Sequence, residues 1–136
     1  MTVPEVAPEE AKRLLDAGEA SCYLDVRTEA EFAAGHVPGA INIPVARINA
    51  ATGRMEPDPS FAHKVRAKLS KGAKIIVGCR SGPRSEAACH ILREHGYEHV
   101  VNLRGGFEGV RDPQGQVLVE GWATLGLPVE RGPSSG

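Results

Sequence analysis

Apolar positions along this chain alternate between two rhythms, short unbroken runs and stretches where they recur every three or four residues. The first helical stretch opens at Pro8-Glu9-Glu10, sets Ala11, Leu14 and Leu15 on one face and stops at Gly18. Proline and acidic residues suit a helix start and glycine suits its end. Cys22 to Val26 reads as a short buried strand, and Thr28 to Glu31 forms a capping box that starts a brief helix ended by Gly35. Ile41 to Ile43 predicts another short strand, and Ala46 to Pro57 predicts a loop. Asp58-Pro59 predicts the start of a helix with Phe61, Val65 and Leu69 on one side. Ile75 to Val77 is the next strand, and the helix beyond it runs to His95, buries Ala87, Ala88, Ile91 and Leu92, and stops at Gly96. Val100 to Leu103 is the last strand. Strands alternating with helices predict an α/β fold, a parallel sheet with crossover helices.

The chemistry concentrates where the Ile75 strand ends, at Cys79-Arg80-Ser81-Gly82-Pro83-Arg84-Ser85. A cysteine leaving a strand, followed by a small-residue turn and a helix start, places backbone N–H groups and the positive helix end around its sulfur. Arg80 and Arg84 add full positive charge, and both effects favour thiolate over thiol. Consecutive N–H groups curling around one point also make a nest for a spherical or tetrahedral anion. Pro83 has no N–H, which leaves Arg80, Ser81, Gly82, Arg84 and Ser85 as donors. The spacing is C-x4-R, one residue shorter than the C-x5-R loop with which cysteine-dependent phosphatases admit a phosphate. The shorter loop favours an anion the size of one extra sulfur atom. The sulfur lies at the carboxyl end of a parallel strand, where open α/β sheets hold ligands.

Composition narrows the function classes further. A chain of 136 residues, 41% hydrophobic and 24% charged, is sized and balanced as one globular domain. We expect that domain to span residues 1–131, with Gly132 to Gly136 a vector-derived tail outside the functional unit. A net charge of −1 argues against a general nucleic-acid or membrane-surface binder. No basic run precedes an apolar stretch, and no segment approaches the roughly 20 apolar residues of a membrane span. Three cysteines, spaced by 57 and 10 residues, form neither a disulfide framework nor a C-x-x-C pair. A free reactive thiol suits a reducing compartment, so the expected location is the cytoplasm. Cys22 and Cys89 read as core residues. Cys89, His90, His95 and His99 do not read as a metal site, because Gly96 interrupts the helix that would align them. No phosphate-binding glycine loop is present.

Cys79 to Ser85 resembles the active-site loop of the rhodanese-like sulfurtransferases, and two further stretches extend the resemblance. Leu24-Asp25-Val26-Arg27, Glu31-Phe32 and Gly35-His36-Val37-Pro38-Gly39-Ala40-Ile41-Asn42-Ile43-Pro44 are similar to that family's opening signature. Leu103-Arg104-Gly105-Gly106-Phe107, with Trp122 and Gly126-Leu127-Pro128-Val129, is similar to its closing one. The resemblance implies a rhodanese-like domain, a short parallel sheet of about five strands flanked by helices on both faces. It implies an enzyme that moves a sulfane sulfur from a donor such as thiosulfate to a thiophilic acceptor through a Cys79 persulfide, with no metal or organic cofactor. The implied partners are a small anionic sulfur donor and a thiol, cyanide or protein acceptor, on a monomer or weak dimer that binds neither nucleic acid nor membrane.

Position then suggests a role for each residue. Cys79 is the nucleophile, and Arg84 closes the loop with a guanidinium suited to donor oxygens. Arg80 is either a recruiting group at the mouth or a solvated surface arginine. Ser81 and Ser85 offer hydroxyls, Ser85 equally as a cap for the following helix. Asp25 and Arg27 are expected to be a supporting ion pair at a strand end, and His36 a packing histidine. Two alternatives stand beside the sulfurtransferase: a phosphatase or arsenate reductase on a related scaffold, and a non-catalytic rhodanese-like interaction module. The chain departs from the family pattern at residues 111–119, where Asp112-Pro113 and Gln114-Gly115 break any helix. A hairpin or a surface loop fits that segment.

Overall fold

In the computed structural model, which describes residues 3–133, the expected strands assemble side by side and a further one joins them at the edge. The elements run β1 (Glu5–Val6), α1 (Pro8–Asp16), β2 (Cys22–Asp25), α2 (Glu29–Ala34), β3 (Ile41–Asn42), β4 (Ala46–Ile48) and β5 (Met55–Pro57). They continue as α3 (Phe61–Lys68), β6 (Ile75–Gly78), α4 (Pro83–Glu94), β7 (Val100–Leu103), β8 (Val110–Arg111) and β9 (Val117–Val119). Five strands form one parallel sheet in the order β1-β7-β6-β2-β3. The central strand β6 is buried along its whole length, which is why its apolar run is unbroken.

Alternation along the strands splits the core into two layers. Leu24, Ile75, Val77 and Val100 pack with Phe61 and Val65 of α3 and Ala88, Cys89 and Leu92 of α4. Tyr23, Ile76 and Leu103 face the other way, onto Ala11 of α1, Phe107 and Trp122. Trp122 donates from Nε1 to the Pro128 carbonyl at 2.7 Å and meets Tyr23 edge to face, ring centroids 6.2 Å apart. The segment from Trp122 to Pro128 is therefore part of the second layer. Gly132 N–H donates to the Ala33 carbonyl, and residues 134–136 of the expected tail lie outside the described residues.

The structure differs from the sequence expectations at four places. The edge strand β1, paired in parallel with β7, lies between Pro4 and Pro8 and is too short to show a period. Residues 46–57 are an antiparallel hairpin, β4 with β5, not a loop; Ile48 and Met55 pair across it and both are exposed, so no buried face marks it. Ala87 is exposed, because the buried face of α4 runs Ser85, Ala88, Cys89 and Leu92, a rhythm of three and four that Ala87 misses. Leu69 lies one residue past the end of α3, in extended backbone, and packs on the core from there. The segment expected to be either a hairpin or a surface loop is a hairpin, β8 with β9, and its turn is held by Asp112 accepting from the Gln114 and Gln116 amides, each at 2.9 Å.

Candidate active site

Cys79 follows the last residue of β6, and α4 begins four residues later at Pro83. Two glycines let the chain leave the sheet there. A Cβ on Gly78 would lie 1.8 Å from the Tyr23 hydroxyl, and one on Gly106 (φ +61°) would lie 2.6 Å from the Cys79 and Arg80 carbonyls. Gly106 allows the segment after β7 to close over the loop, with Phe107 N–H donating to the Cys79 carbonyl and Glu108 N–H to the Arg80 carbonyl, each at 2.8 Å.

The sulfur points into this frame, with Cys79 1% exposed. Gly82 N–H donates to Sγ at 3.1 Å, and the Ser85 hydroxyl lies 3.3 Å from it, from the first turn of α4. Ser85 is completely buried and also reaches the Gly82 carbonyl at 2.9 Å and Asn102 Oδ1 at 2.5 Å. Ser81 is partly buried within the loop. Arg80 is 65% exposed in its side chain and pairs with Glu108 at 2.8 Å.

Arg84 is turned elsewhere. Its two terminal nitrogens grip the Glu31 carboxylate at 2.7 and 2.9 Å, occupying the fork expected to meet donor oxygens. Glu31 is fixed in turn by the capping box, in which Thr28 N–H and Oγ1 donate to Oε1 while Glu31 N–H donates to Thr28 Oγ1. The Arg84 hydrogen bonds, opposed by partial burial, hold the Glu31 carboxyl down at about 2. Arg84 is raised by the same pair.

Asp25 and Arg27 form a buried ion pair with Arg27 Nη2 2.7 Å from Asp25 Oδ2. Arg27 also donates to the Gly35 carbonyl at 2.7 Å and lies 4.6 Å from the centre of the Phe107 ring. Burial works to lower Arg27, but Asp25 outweighs it and the net shift is upward. The Asn42 amide caps this strand end by donating to the Asp25 and Arg27 carbonyls, each at 3.0 Å. His36 is buried, stacks on Phe32 at 3.6 Å and bonds the Phe32 carbonyl through Nδ1, a packing arrangement.

The structure thus brings Cys79, Gly82 and Ser85 together at the sulfur, sets Arg84 on Glu31 beside them and turns Arg80 outward. Sequence reasoning left Asn102 without a role and gave Glu31 a capping role but no pairing with Arg84. The one sequence signal for Asn102 is an amide interrupting the apolar run Val100-Val101-Asn102-Leu103. Among the described residues no group of three His, Cys, Asp or Glu is placed to hold a metal ion, and no helix is long and apolar enough to cross a membrane.

A family model described as the rhodanese-like domain matches residues 7–112. The chain belongs to the rhodanese family. It is 40% identical over 108 residues to thiosulfate sulfurtransferase 16, chloroplastic, of Arabidopsis thaliana, covering 79% of this chain and 78% of that one. It is 33% identical over 127 residues to a sulfurtransferase of Allochromatium vinosum, covering 93% and 94%. Protein HIGH ARSENIC CONTENT 1, mitochondrial, of Arabidopsis thaliana is 41% identical over 97 residues, a match that spans 71% of this chain but 55% of that protein. Among solved rhodanese-like structures, Rv0390 from M. tuberculosis superposes with a TM-score of 0.77 at 28% identity, covering 97% of this chain and 100% of that one. Human single-domain sulfurtransferase TSTD1 superposes with a TM-score of 0.58 at 33% identity, covering 76% and 91%.

Proposed function

We propose that this rhodanese-family enzyme is a sulfurtransferase that carries a sulfane sulfur on Cys79, taking it from thiosulfate or a similar anionic donor and passing it to a thiol or to cyanide. The observation that carries this reading is the sulfur at the end of β6 with Gly82 N–H and the Ser85 hydroxyl turned onto it at the N-terminus of α4. In the first half-reaction the Cys79 thiolate attacks the outer sulfur of thiosulfate. The thiosulfate S–S bond breaks, its electron pair leaves on sulfite, and a new bond joins Sγ to the outer sulfur. In the second, the acceptor attacks that outer sulfur, and the pair of the breaking bond returns to Sγ as thiolate. The loop amides and helix end steady the negative charge that alternates between the two sulfurs. Arg84, anchored on Glu31, contributes a fixed positive charge to the loop, and Asp25 with Arg27 supports the floor beneath it. The free thiol suits a reducing compartment such as the cytoplasm, although two of the relatives above are named chloroplastic and mitochondrial.

Steady-state assay tests the substrate class. Thiocyanate formation from thiosulfate and cyanide is expected in the wild type and lost in Cys79→Ser; activity retained in that variant would overturn the assignment. A second reading, thiol-dependent action on arsenate, draws support from the 41% identity to HIGH ARSENIC CONTENT 1. Arsenate reduction with glutathione, lost in Cys79→Ser while thiosulfate and persulfide donors leave the cysteine bare, would favour it.

A further inference from the structure

Asn102 lies on β7 and is 2% exposed. Its side chain faces the start of α4, with Nδ2 donating to the Gly82 carbonyl at 3.3 Å and Oδ1 accepting from the Ser85 hydroxyl at 2.5 Å. That hydroxyl has a single proton, and two other acceptors compete for it, the Gly82 carbonyl at 2.9 Å and Cys79 Sγ at 3.3 Å. The Gly82 carbonyl already accepts from the Glu86 N–H at 3.0 Å, so it does not depend on Ser85. The contest is between an amide oxygen and the reactive sulfur.

The charge on sulfur decides that contest. A thiol brings its own proton and donates it to Ser85 Oγ, which leaves the Ser85 proton on Asn102 and satisfies all three side chains, Cys79, Ser85 and Asn102. A thiolate has no proton to give, and a hydrogen bond to an anion is roughly twice as strong as a neutral one. The Ser85 proton then turns to Sγ, and the buried Asn102 oxygen loses its donor.

We propose that Asn102 is a positioning residue that acts through Ser85, holding the Ser85 proton away from the Cys79 sulfur and yielding it when that sulfur becomes negative. For turnover this rests on the persulfide reading above. With the inner sulfur bonded and uncharged, Ser85 donates to Asn102 and the outer sulfur is left to the loop amides. When the acceptor takes the outer sulfur, the electron pair of the S–S bond stays on Sγ and the Ser85 O–H swings onto it. The swing reorients a hydrogen bond and transfers no proton.

The test is the rate at which iodoacetamide alkylates Cys79 at neutral pH, followed by peptide mass spectrometry in Ser85→Ala, the isosteric Asn102→Leu and the double variant. Ser85→Ala is expected to slow alkylation by about threefold, since fewer sulfurs are thiolates. Asn102→Leu is expected to speed it by about threefold, because the thiolate no longer competes for the proton. The double variant should match Ser85→Ala alone. Asn102→Ala removes the same acceptor with a smaller side chain and should also speed alkylation, which guards against a packing defect in the leucine variant. An Asn102→Leu rate that is unchanged or slower, or an effect that persists without Ser85, would overturn the proposal. These rates need no sulfur donor. A wild type that takes up no sulfur would therefore count against the proposed function, while the signs of the rates still decide the role of Asn102.

Discussion

Cys22 and Cys89 sit in the apolar layer beside α3 and α4, where burial pushes their thiols up to about 11 and about 12, so neither supplies much thiolate at neutral pH. Cys79 touches the same layer but ends where an amide and a hydroxyl converge on its sulfur. The other charged decision at this scale is Glu31, which fixes Arg84. Its carboxyl titrates at about 2 in the folded protein, below the ordinary carboxylate value of about 4.3, so it binds its proton less readily folded than unfolded. The stabilisation it supplies is therefore fully present above about pH 4.5 and is lost as pH falls towards 2. Glu31→Gln keeps an acceptor for the capping box but removes the charge. Because the pair is partly exposed, the variant should cost only about 1 kcal/mol in urea unfolding at pH 7, and the difference from wild type should shrink as pH falls to 3. A difference that is constant from pH 7 to 3 would show that the charge on Glu31 contributes nothing.

Elements position the site through close backbone approach. The loop after β6 and the segment after β7 are joined by Phe107 and Glu108 donating to the Cys79 and Arg80 carbonyls, and Gly106 makes that approach possible. Gly106→Ala would place a Cβ 2.6 Å from those carbonyls at φ +61°. The expected result is a loss of about 1–3 kcal/mol in stability and of about tenfold to a hundredfold in sulfur transfer, because the loop that aims the sulfur is displaced. Wild-type transfer rates in a folded Gly106→Ala protein would show that this contact does not set the loop's geometry. The hairpins β4–β5 and β8–β9 are a contrasting case, since Ile48, Met55 and Leu118 on them are exposed and add little to the core.

For the whole molecule, legibility followed burial. Strands β2, β6 and β7 were readable because burial leaves short apolar runs, continuous in β6, ended by Asp25 in β2 and broken by Asn102 in β7, and the capping box and the C-x4-R loop were readable because each is a local pattern. The edge strand β1 and the exposed hairpin β4–β5 left no such trace, since pairing alone, without a buried face, imposes no period. At the site, Cys79, Gly82 and Ser85 are close in sequence and could be grouped from it. The Arg84–Glu31 pair spans 53 residues and the Ser85–Asn102 bond 17, so they appear only once the sheet order is known. The most direct test of the account is the intact mass of the protein after brief incubation with thiosulfate and again after cyanide, with peptide mapping of the three cysteines. The account predicts a gain of one sulfur, located on Cys79, removed by cyanide and absent from Cys79→Ala. No gain with thiosulfate, mercaptopyruvate or glutathione persulfide, or sulfur carried on Cys22 or Cys89, would contradict it.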